Sequence, residues 1–287
     1  MNLDDDRESS NVEDRRGGGI GKAGGIGVGT VVIALVASYF LGVDPLTILN
    51  VANQVQGSPG AQMGSPLDPA NDPDLAIKLE VEKILARTED SWGAMFREMG
   101  GQYQVPKLVL YSGRTPTACG AGDAAMGPFY CPGDQKVYLD MTFFREMENR
   151  FRAGGDFARA YVIAHEIGHH VQNLIGITER TDAMRRQMSE KDFNRVSVKV
   201  ELQADCFAGV WANHSNRVKA FLQPNDVDEA LRAANAIGDD MLQKKSRGVV
   251  VPDSFTHGSS AQRVHWFKTG FESGSLRSCD TFAVRDL

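Results

Sequence analysis

The chain has 287 residues, a formal net charge of −6 at pH 7 and a sequence pI near 5.6. An acidic chain without a Lys/Arg-rich run lacks the positive surface that nucleic-acid binding requires, so we expect no nucleic-acid partner. None of the four cysteines forms a C-x-x-C pair, which argues against a structural zinc ribbon. The length suits one large domain with additional segments, or two small domains.

Composition divides the first part of the chain into three segments. Residues 1–23 are polar, charged and then glycine-rich, and are expected to form a disordered cytoplasmic leader. Residues 24–43 are uncharged and apolar over about the length of a transmembrane helix. Basic residues precede this segment and none follows before Lys78, so the charge bias predicts a single-pass membrane protein with a cytoplasmic N-terminus and a periplasmic or extracellular domain. For residues 24–43, the alternatives to a transmembrane helix are a cleaved signal peptide and a buried core helix. Residues 44–71 are rich in Gly, Pro and Ser and are expected to be a flexible linker.

The remaining residues, 72–287, alternate between helical and strand patterns and predict one α+β domain, mostly helical with a small sheet. Pro106 lies near the start of the first strand, which suits either an edge strand or the first position of a strand. The predicted elements in chain order are a helix from Asp72 to Met99, strands Val105–Tyr111 and Lys136–Asp140, and helices over 142–151, 156–176, 194–213 and 225–245; residues 262–271 belong to the tail, without an assigned element.

The most informative stretch is an H-E-x-x-H motif formed by His165, Glu166 and His169. Residues four apart lie on one face of a helix, so the two imidazoles can bind one metal ion. Zn²⁺ accepts neutral histidine nitrogens and keeps a position for water in catalytic sites, and the glutamate beside the first histidine is a candidate general base. The alternative is a buried helix whose histidines are satisfied by ordinary hydrogen bonds.

A catalytic zinc needs a third protein ligand. The extended motif with a histidine on the same helix is absent, because Gln172 and Ile175 occupy its glycine and histidine positions. The downstream candidates are Glu179, Glu190 and Glu201. Glu201 is favoured because small residues share its helical face and allow close approach to the first helix, whereas Glu190 lies in a polar run. The alternative for Glu201 is an ordinary surface glutamate paired with Lys or Arg.

Further residues are candidates for supporting roles around such a metal. Asp205, one helical turn after Glu201, could accept the free ring N–H of a ligand histidine. Arg263 could pair with Asp205 or support a substrate-binding loop. His257 could donate a hydrogen bond to an oxyanion, or be a loop histidine bonded to the backbone. His170 is expected to pack inside the protein, and Asp239-Asp240 to be a solvated pair.

Five motifs together resemble the "putative neutral zinc metallopeptidase" family, and more broadly the gluzincin peptidases, although the Thr256-His257-Gly258 segment lacks the proline of the wider group. The resemblance implies a zincin-like fold, one Zn²⁺, a peptide or protein substrate and a single-pass bacterial envelope protein, but no particular substrate. The motifs are His165-Glu166-Ile167-Gly168-His169-His170, Glu201-Leu202-Gln203-Ala204-Asp205-Cys206, Thr256-His257-Gly258-Ser259-Ser260, Gly127-Pro128-Phe129-Tyr130-Cys131-Pro132 and Cys279-Asp280-Thr281-Phe282.

The four cysteines suggest disulfides if the domain is exported, and buried free thiols if it is not. Cys119 and Cys131 flank a loop of suitable size, in which case Cys206 and Cys279 would pair. Four cysteines allow three connectivities, and the sequence does not choose among them.

These observations predict a membrane-anchored zinc metallopeptidase. Zinc held by the two histidines and Glu201 would lower the pKa of a bound water to about 7, Glu166 would take its proton, and His257 could assist at the oxyanion. Substrate would lie extended along an edge strand near residues 124–130. The alternative is a membrane-anchored binding module that zinc stabilises and that turns over no substrate.

Overall fold

The computed structural model describes residues 1–17, 67–124, 127–150 and 152–284. The predicted transmembrane segment 24–43 and most of the predicted linker lie outside the described residues. Residues Met1–Glu13 and Asp72–Leu287 form one compact unit, and a second unit spans Asp14–Asn71. Within the predicted linker, Pro69–Asn71 forms a short 3₁₀ helix.

The first unit is α+β and mostly helical, which confirms the predicted fold class at that level. The predicted helix 225–245 is two helices, which are separated at Gly238. A Cβ atom at Gly238 would collide with Ser260, so this close contact requires glycine. In the part of the chain that the structure describes, the α-helices are α1 (Leu75–Glu98), α2 (Thr142–Asn149), α3 (Asp156–Leu174), α4 (Ile177–Arg185), α5 (Glu190–Val218), α6 (Asp226–Ala236), α7 (Asp239–Arg247) and α8 (Ser260–Ser273).

The strands form a four-stranded sheet in the order β1-β2-β6-β5 and a separate β3–β4 hairpin. β2 runs parallel to β6, and β5 runs antiparallel to β6 at the edge of the sheet. Of the two positions that Pro106 suited, the structure has the start of the strand: Pro106 directly precedes the first residue of β2, and β2 lies between β1 and β6 rather than at the edge. The strands are β1 (Val12–Asp14), β2 (Lys107–Tyr111), β3 (Arg114–Thr117), β4 (Gly120–Asp123), β5 (Phe129–Cys131) and β6 (Lys136–Asp140).

Helix α5 packs against both α3 and α8, and glycines permit the close approach. A Cβ atom on Gly168 of α3 would lie 3.0 Å from the Ala204 carbonyl oxygen of α5. A Cβ atom on Gly270 of α8 would collide with the Cys206 carbonyl oxygen. Because these contacts are backbone to backbone, any larger residue would push the helices apart. The packing brings the middle of α5 against the histidine-bearing face of α3.

The N-terminal segment is not a disordered leader over its first residues. Leu3 is buried in the main core, and the backbone N–H of Leu108 in β2 donates to the Asn11 carbonyl oxygen at 2.9 Å. Asp6 forms an ion pair with the buried Arg87 of α1. Asp6, one of the mixed charges that suggested a solvated leader, therefore has a buried partner in the domain. This pairing cannot be read from the sequence.

The predicted localisation is wrong. It placed the N-terminus and the catalytic domain on opposite sides of a membrane, but residues Met1–Glu13 belong to the same compact unit as Asp72–Leu287. Among the described residues, none of the helices combines the length and apolar character needed to cross a membrane. The segment 24–43, on which the single-pass prediction rested, lies outside the described residues.

The Asp6–Arg87 pair gives a direct test of this N-terminal packing. Both side chains are 7% exposed, and removing one partner leaves the other charge buried and unpaired. We expect Asp6→Ala to lower the free energy of unfolding by about 3–5 kcal/mol, measured by urea titration with circular dichroism. Asp4→Ala, at an exposed position two residues away, is the control. Equal unfolding midpoints for the two variants would show that the segment contributes nothing to stability.

Candidate metal centre

The H-E-x-x-H histidines lie on one face of α3, one turn apart, with ring centroids separated by 4.8 Å. Both Nε2 atoms face the Glu201 carboxylate of α5. His165 Nε2 is 3.2 Å from Oε2, and His169 Nε2 is 3.5 Å from Oε1. One ligand atom from each of the three residues lies within 4.8 Å of the others. The other candidates, Glu179 and Glu190, are exposed and take no part in this cluster.

Hydrogen bonds at the opposite ring nitrogens orient both imidazoles. His165 Nδ1 lies 2.8 Å from Asp205 Oδ1, and His169 Nδ1 lies 2.9 Å from Gln172 Oε1. Because both partners are acceptors, the Nδ1–H groups donate and the Nε2 lone pairs are left facing Glu201. Gln172 is itself held by its Nε2, which donates to the Val200 carbonyl at 2.7 Å. The role of Gln172 was not predicted, although its position three residues after His169 places it on the same helical face.

Asp205 is fully buried and is the centre of a polar cluster behind His165. The Arg263 guanidinium donates to both carboxylate oxygens at 2.9 Å, and the Tyr161 hydroxyl donates to Oδ1 at 2.5 Å. Burial works to raise the pKa of Asp205, but Arg263 and His165 lower it to about 2. The carboxylate is therefore ionised and can orient the histidine. The pairing of Arg263 with Asp205 was one of two roles considered from the sequence. Tyr161 was not among the candidate residues.

The donor set fits Zn²⁺: two imidazole nitrogens and one carboxylate oxygen, supplied by two rigid helices. Burial works to raise the pKa of Glu201, yet the facing His169 and His165 rings hold it well below its ordinary value, so the carboxylate is ionised as a ligand must be. Glu166 is 7% exposed, and burial raises its pKa. A raised pKa suits a carboxylate that accepts and then returns a proton.

His257 lies on the loop before α8, and Asp239 holds that loop in place. One oxygen of Asp239, Oδ2, accepts hydrogen bonds from the successive backbone N–H groups of residues 256–258 at 2.7–3.1 Å. Oδ1 lies 3.3 Å from His257 Nδ1, and this hydrogen bond raises the pKa of His257. The predicted solvated pair Asp239-Asp240 is thus wrong: Asp239 is 8% exposed, and Asp240 accepts from the Ser260 N–H and hydroxyl.

His170 points away from the metal ligands and is fully buried, as expected from its position on the helix. Its Nε2 donates to the Gln104 carbonyl at 2.6 Å, and its Nδ1 accepts from the Tyr130 hydroxyl at 3.0 Å. Burial lowers the pKa of His170, which suits this neutral form. The residue therefore ties α3 to the edge strand β5.

The predicted disulfides are confirmed, and their connectivity is Cys119–Cys131 and Cys206–Cys279. The first joins the β3–β4 hairpin region to β5. Cys206 follows Asp205 directly, and the second bridge ties α5 to the C-terminal segment through Cys279. Each bridge therefore fixes a segment that borders the candidate centre.

The fold and the site together define a class of protein: a mostly helical α+β domain in which an H-E-x-x-H helix and a carboxylate on a second helix form a candidate metal centre. The sequence profile of the family described as "Putative neutral zinc metallopeptidase" matches residues 1–282, and the chain belongs to this family. Zinc is the metal that the family description implies.

Relatives extend over most of the chain. The Escherichia coli K12 protein named "Uncharacterized protein YpfJ" is 49% identical over 286 residues, which cover 96% of each chain. The Mycobacterium tuberculosis H37Rv protein named "Uncharacterized protein Rv2575" is 41% identical over 217 residues, which cover 72% of each chain. No solved structure matches the chain.

Proposed function

We propose that the protein is a zinc metallopeptidase that hydrolyses peptide bonds in peptides or proteins, with one Zn²⁺ held by His165, His169 and Glu201. The observation that carries this proposal is the convergence of the three ligand atoms within 4.8 Å, on buried helices, beside the carboxylate of Glu166. A site that only stabilised the fold would not need Glu166.

Zinc, when bound, lowers the pKa of a coordinated water and polarises a carbonyl group. The chain supplies the proton transfers: Glu166 accepts a proton from the attacking water and passes it to the leaving amine. His257, whose pKa is raised by its hydrogen bond to Asp239, donates in its protonated form to the oxygen on which negative charge develops. Asp205 and Gln172 keep the histidine rings oriented throughout.

The substrate backbone would pair with β5, since this strand lies at the edge of the sheet and joins α3 through His170 and Tyr130. Within the predicted substrate-binding stretch 124–130, Met126 lies outside the described residues. Phe129 stacks on Tyr138 with ring centroids 5.0 Å apart, which gives it a packing role. The hypothesis for β5 therefore rests on its backbone.

The Asp239–His257 hydrogen bond predicts the alkaline side of the pH profile. Asp239 raises the pKa of His257 above its ordinary value, so the donating imidazolium is present below that raised pKa and is lost as pH rises through it. Asp239→Asn should lower the pKa and make kcat/KM fall at a lower pH, measured on a peptide substrate across pH 5–9, roughly the range over which histidine titrates. Asp240→Asn, which leaves His257 untouched, is the control. An unchanged alkaline limb in Asp239→Asn would remove His257 from the mechanism.

The alternative is a zinc-stabilised binding module. The deciding measurement is cleavage of unfolded-protein and peptide pools by the full chain, with the zinc content determined on the same sample. Cleavage that depends on Glu166 would support the peptidase. Bound zinc without any cleavage would favour the binding module.

A further inference from the structure

A cavity of about 840 Å³ adjoins the candidate metal centre, and this volume is typical of ligand pockets. Val198 lines it and precedes Glu201 by three residues on α5, about 4.5 Å along the helix axis. Ser259, also in its lining, follows His257 by two residues. A Cβ atom on the intervening Gly258 would lie 3.3 Å from Val198, so the loop of His257 packs on the part of α5 that lines the cavity.

Most polar groups in the cavity wall already have partners. Ser259 and Gln262 satisfy each other in a capping box at the start of α8. The Lys199 ammonium donates to the backbone carbonyl of Val284 at 2.7 Å. The Asn194 amide donates to the backbone carbonyl of Asp253 at 3.3 Å. These groups would gain little from a polar ligand, because each would have to give up an existing hydrogen bond.

The cavity wall is about equally polar and apolar, and because its polar groups are already paired, the apolar part is the surface left for a ligand. Val198 and Phe255 are buried in the wall, and Met184 and Phe282 are half-buried beside it. The charged side chains of Arg195 and Asp253 are 68% and 59% exposed, so they lie at the solvent side. An apolar part of the wall behind a charged rim fits a large apolar side chain whose backbone stays outside.

We propose that this cavity is the specificity pocket of the enzyme and receives a large apolar side chain, such as Leu, Met or Phe, next to the bond that is cleaved. The proposal rests on the proposed peptidase function and adds the substrate class. Peptides with a small polar residue at that position gain no buried apolar area and are poor substrates.

Met184→Glu tests the pocket because it places a carboxylate against the bound side chain. Met188→Glu makes the same change at a position 42% exposed and outside the cavity wall, and is the matched control. Cleavage sites in a peptide library are mapped by mass spectrometry. We expect wild type and Met188→Glu to cleave beside apolar residues, and Met184→Glu to lose this preference by about tenfold or more, in favour of Lys and Arg. An unchanged profile in Met184→Glu overturns the proposal.

A binding measurement separates this proposal from the question of turnover. Fluorescent peptides that differ only in Phe or Ser are titrated into full-length, zinc-loaded Glu166→Gln protein, alone and combined with Met184→Glu or Phe282→Ala. Phe282→Ala removes an apolar side chain from the wall without adding a charge, and it serves as the test if Met184→Glu does not fold. The pocket is supported if the Phe peptide binds more tightly than the Ser peptide and either variant abolishes this difference. That result would stand even if the wild type cleaved nothing and the peptidase proposal failed. Cleavage with no effect of either variant overturns only the pocket. If the protein shows neither preferential binding nor cleavage, both proposals are overturned.

Discussion

Glu166→Gln is expected to lower kcat by about 10²–10⁴-fold, the contribution of a general acid–base group. The substitution keeps the size of the side chain but removes the acid–base function. Glu166 is not among the three residues whose ligand atoms converge, so zinc content should stay at the wild-type value. The loss should therefore appear in turnover, with the metal and the fold unchanged.

The measurement compares cleavage rates on one peptide substrate, with zinc determined by mass spectrometry and the fold checked by thermal unfolding. Glu179→Gln, the same change at an exposed glutamate on α4, is the matched control and should behave as wild type. Activity in Glu166→Gln close to that of wild type, at equal zinc content, would reject Glu166 as the general base. Loss of zinc from the variant would instead place Glu166 among the groups that hold the metal.

Asp205→Asn carries the second large expected effect, because Asp205 serves both the metal site and the fold. Its Oδ1 orients His165, and changing such a partner of a metal ligand typically weakens metal binding by about 10–100-fold. Its carboxylate is also the partner of Arg263, which is 3% exposed. Leaving this guanidinium unpaired should lower the free energy of unfolding by about 3–5 kcal/mol.

The two effects can be separated with a double variant. In Asp205→Leu combined with Arg263→Met, no buried charge is left unpaired, so most of the stability should return. Zinc affinity should stay low, since His165 still lacks its acceptor. Zinc affinity is measured by competition with a chelator, and stability by urea titration of the zinc-free protein. Wild-type zinc affinity in the double variant would show that Asp205 acts only through Arg263.

The local parts of the candidate site were predictable from the sequence. The four-residue spacing of His165 and His169 fixes their common helical face, because helix geometry depends only on neighbours along the chain. The small residues around Glu201 indicated a close helix contact, which the structure contains at Gly168 and Ala204. The strand Lys136–Asp140 was placed at its observed bounds for the same reason, since alternation of side chains is a local property.

The sequence by itself thus determined the candidate metal-binding helix, the α+β class and the shortlist of candidate third ligands. Tertiary structure alone decided which charged groups meet across long separations: Asp6 with Arg87, Asp239 with the loop of His257, and Asp205 with Arg263. Tertiary structure also added a strand from the N-terminal segment, β1, to the sheet, so that β2 lies between β1 and β6. The physical reason is that a charge pattern looks the same whether its partner is water or a buried residue, and only chain packing distinguishes the two.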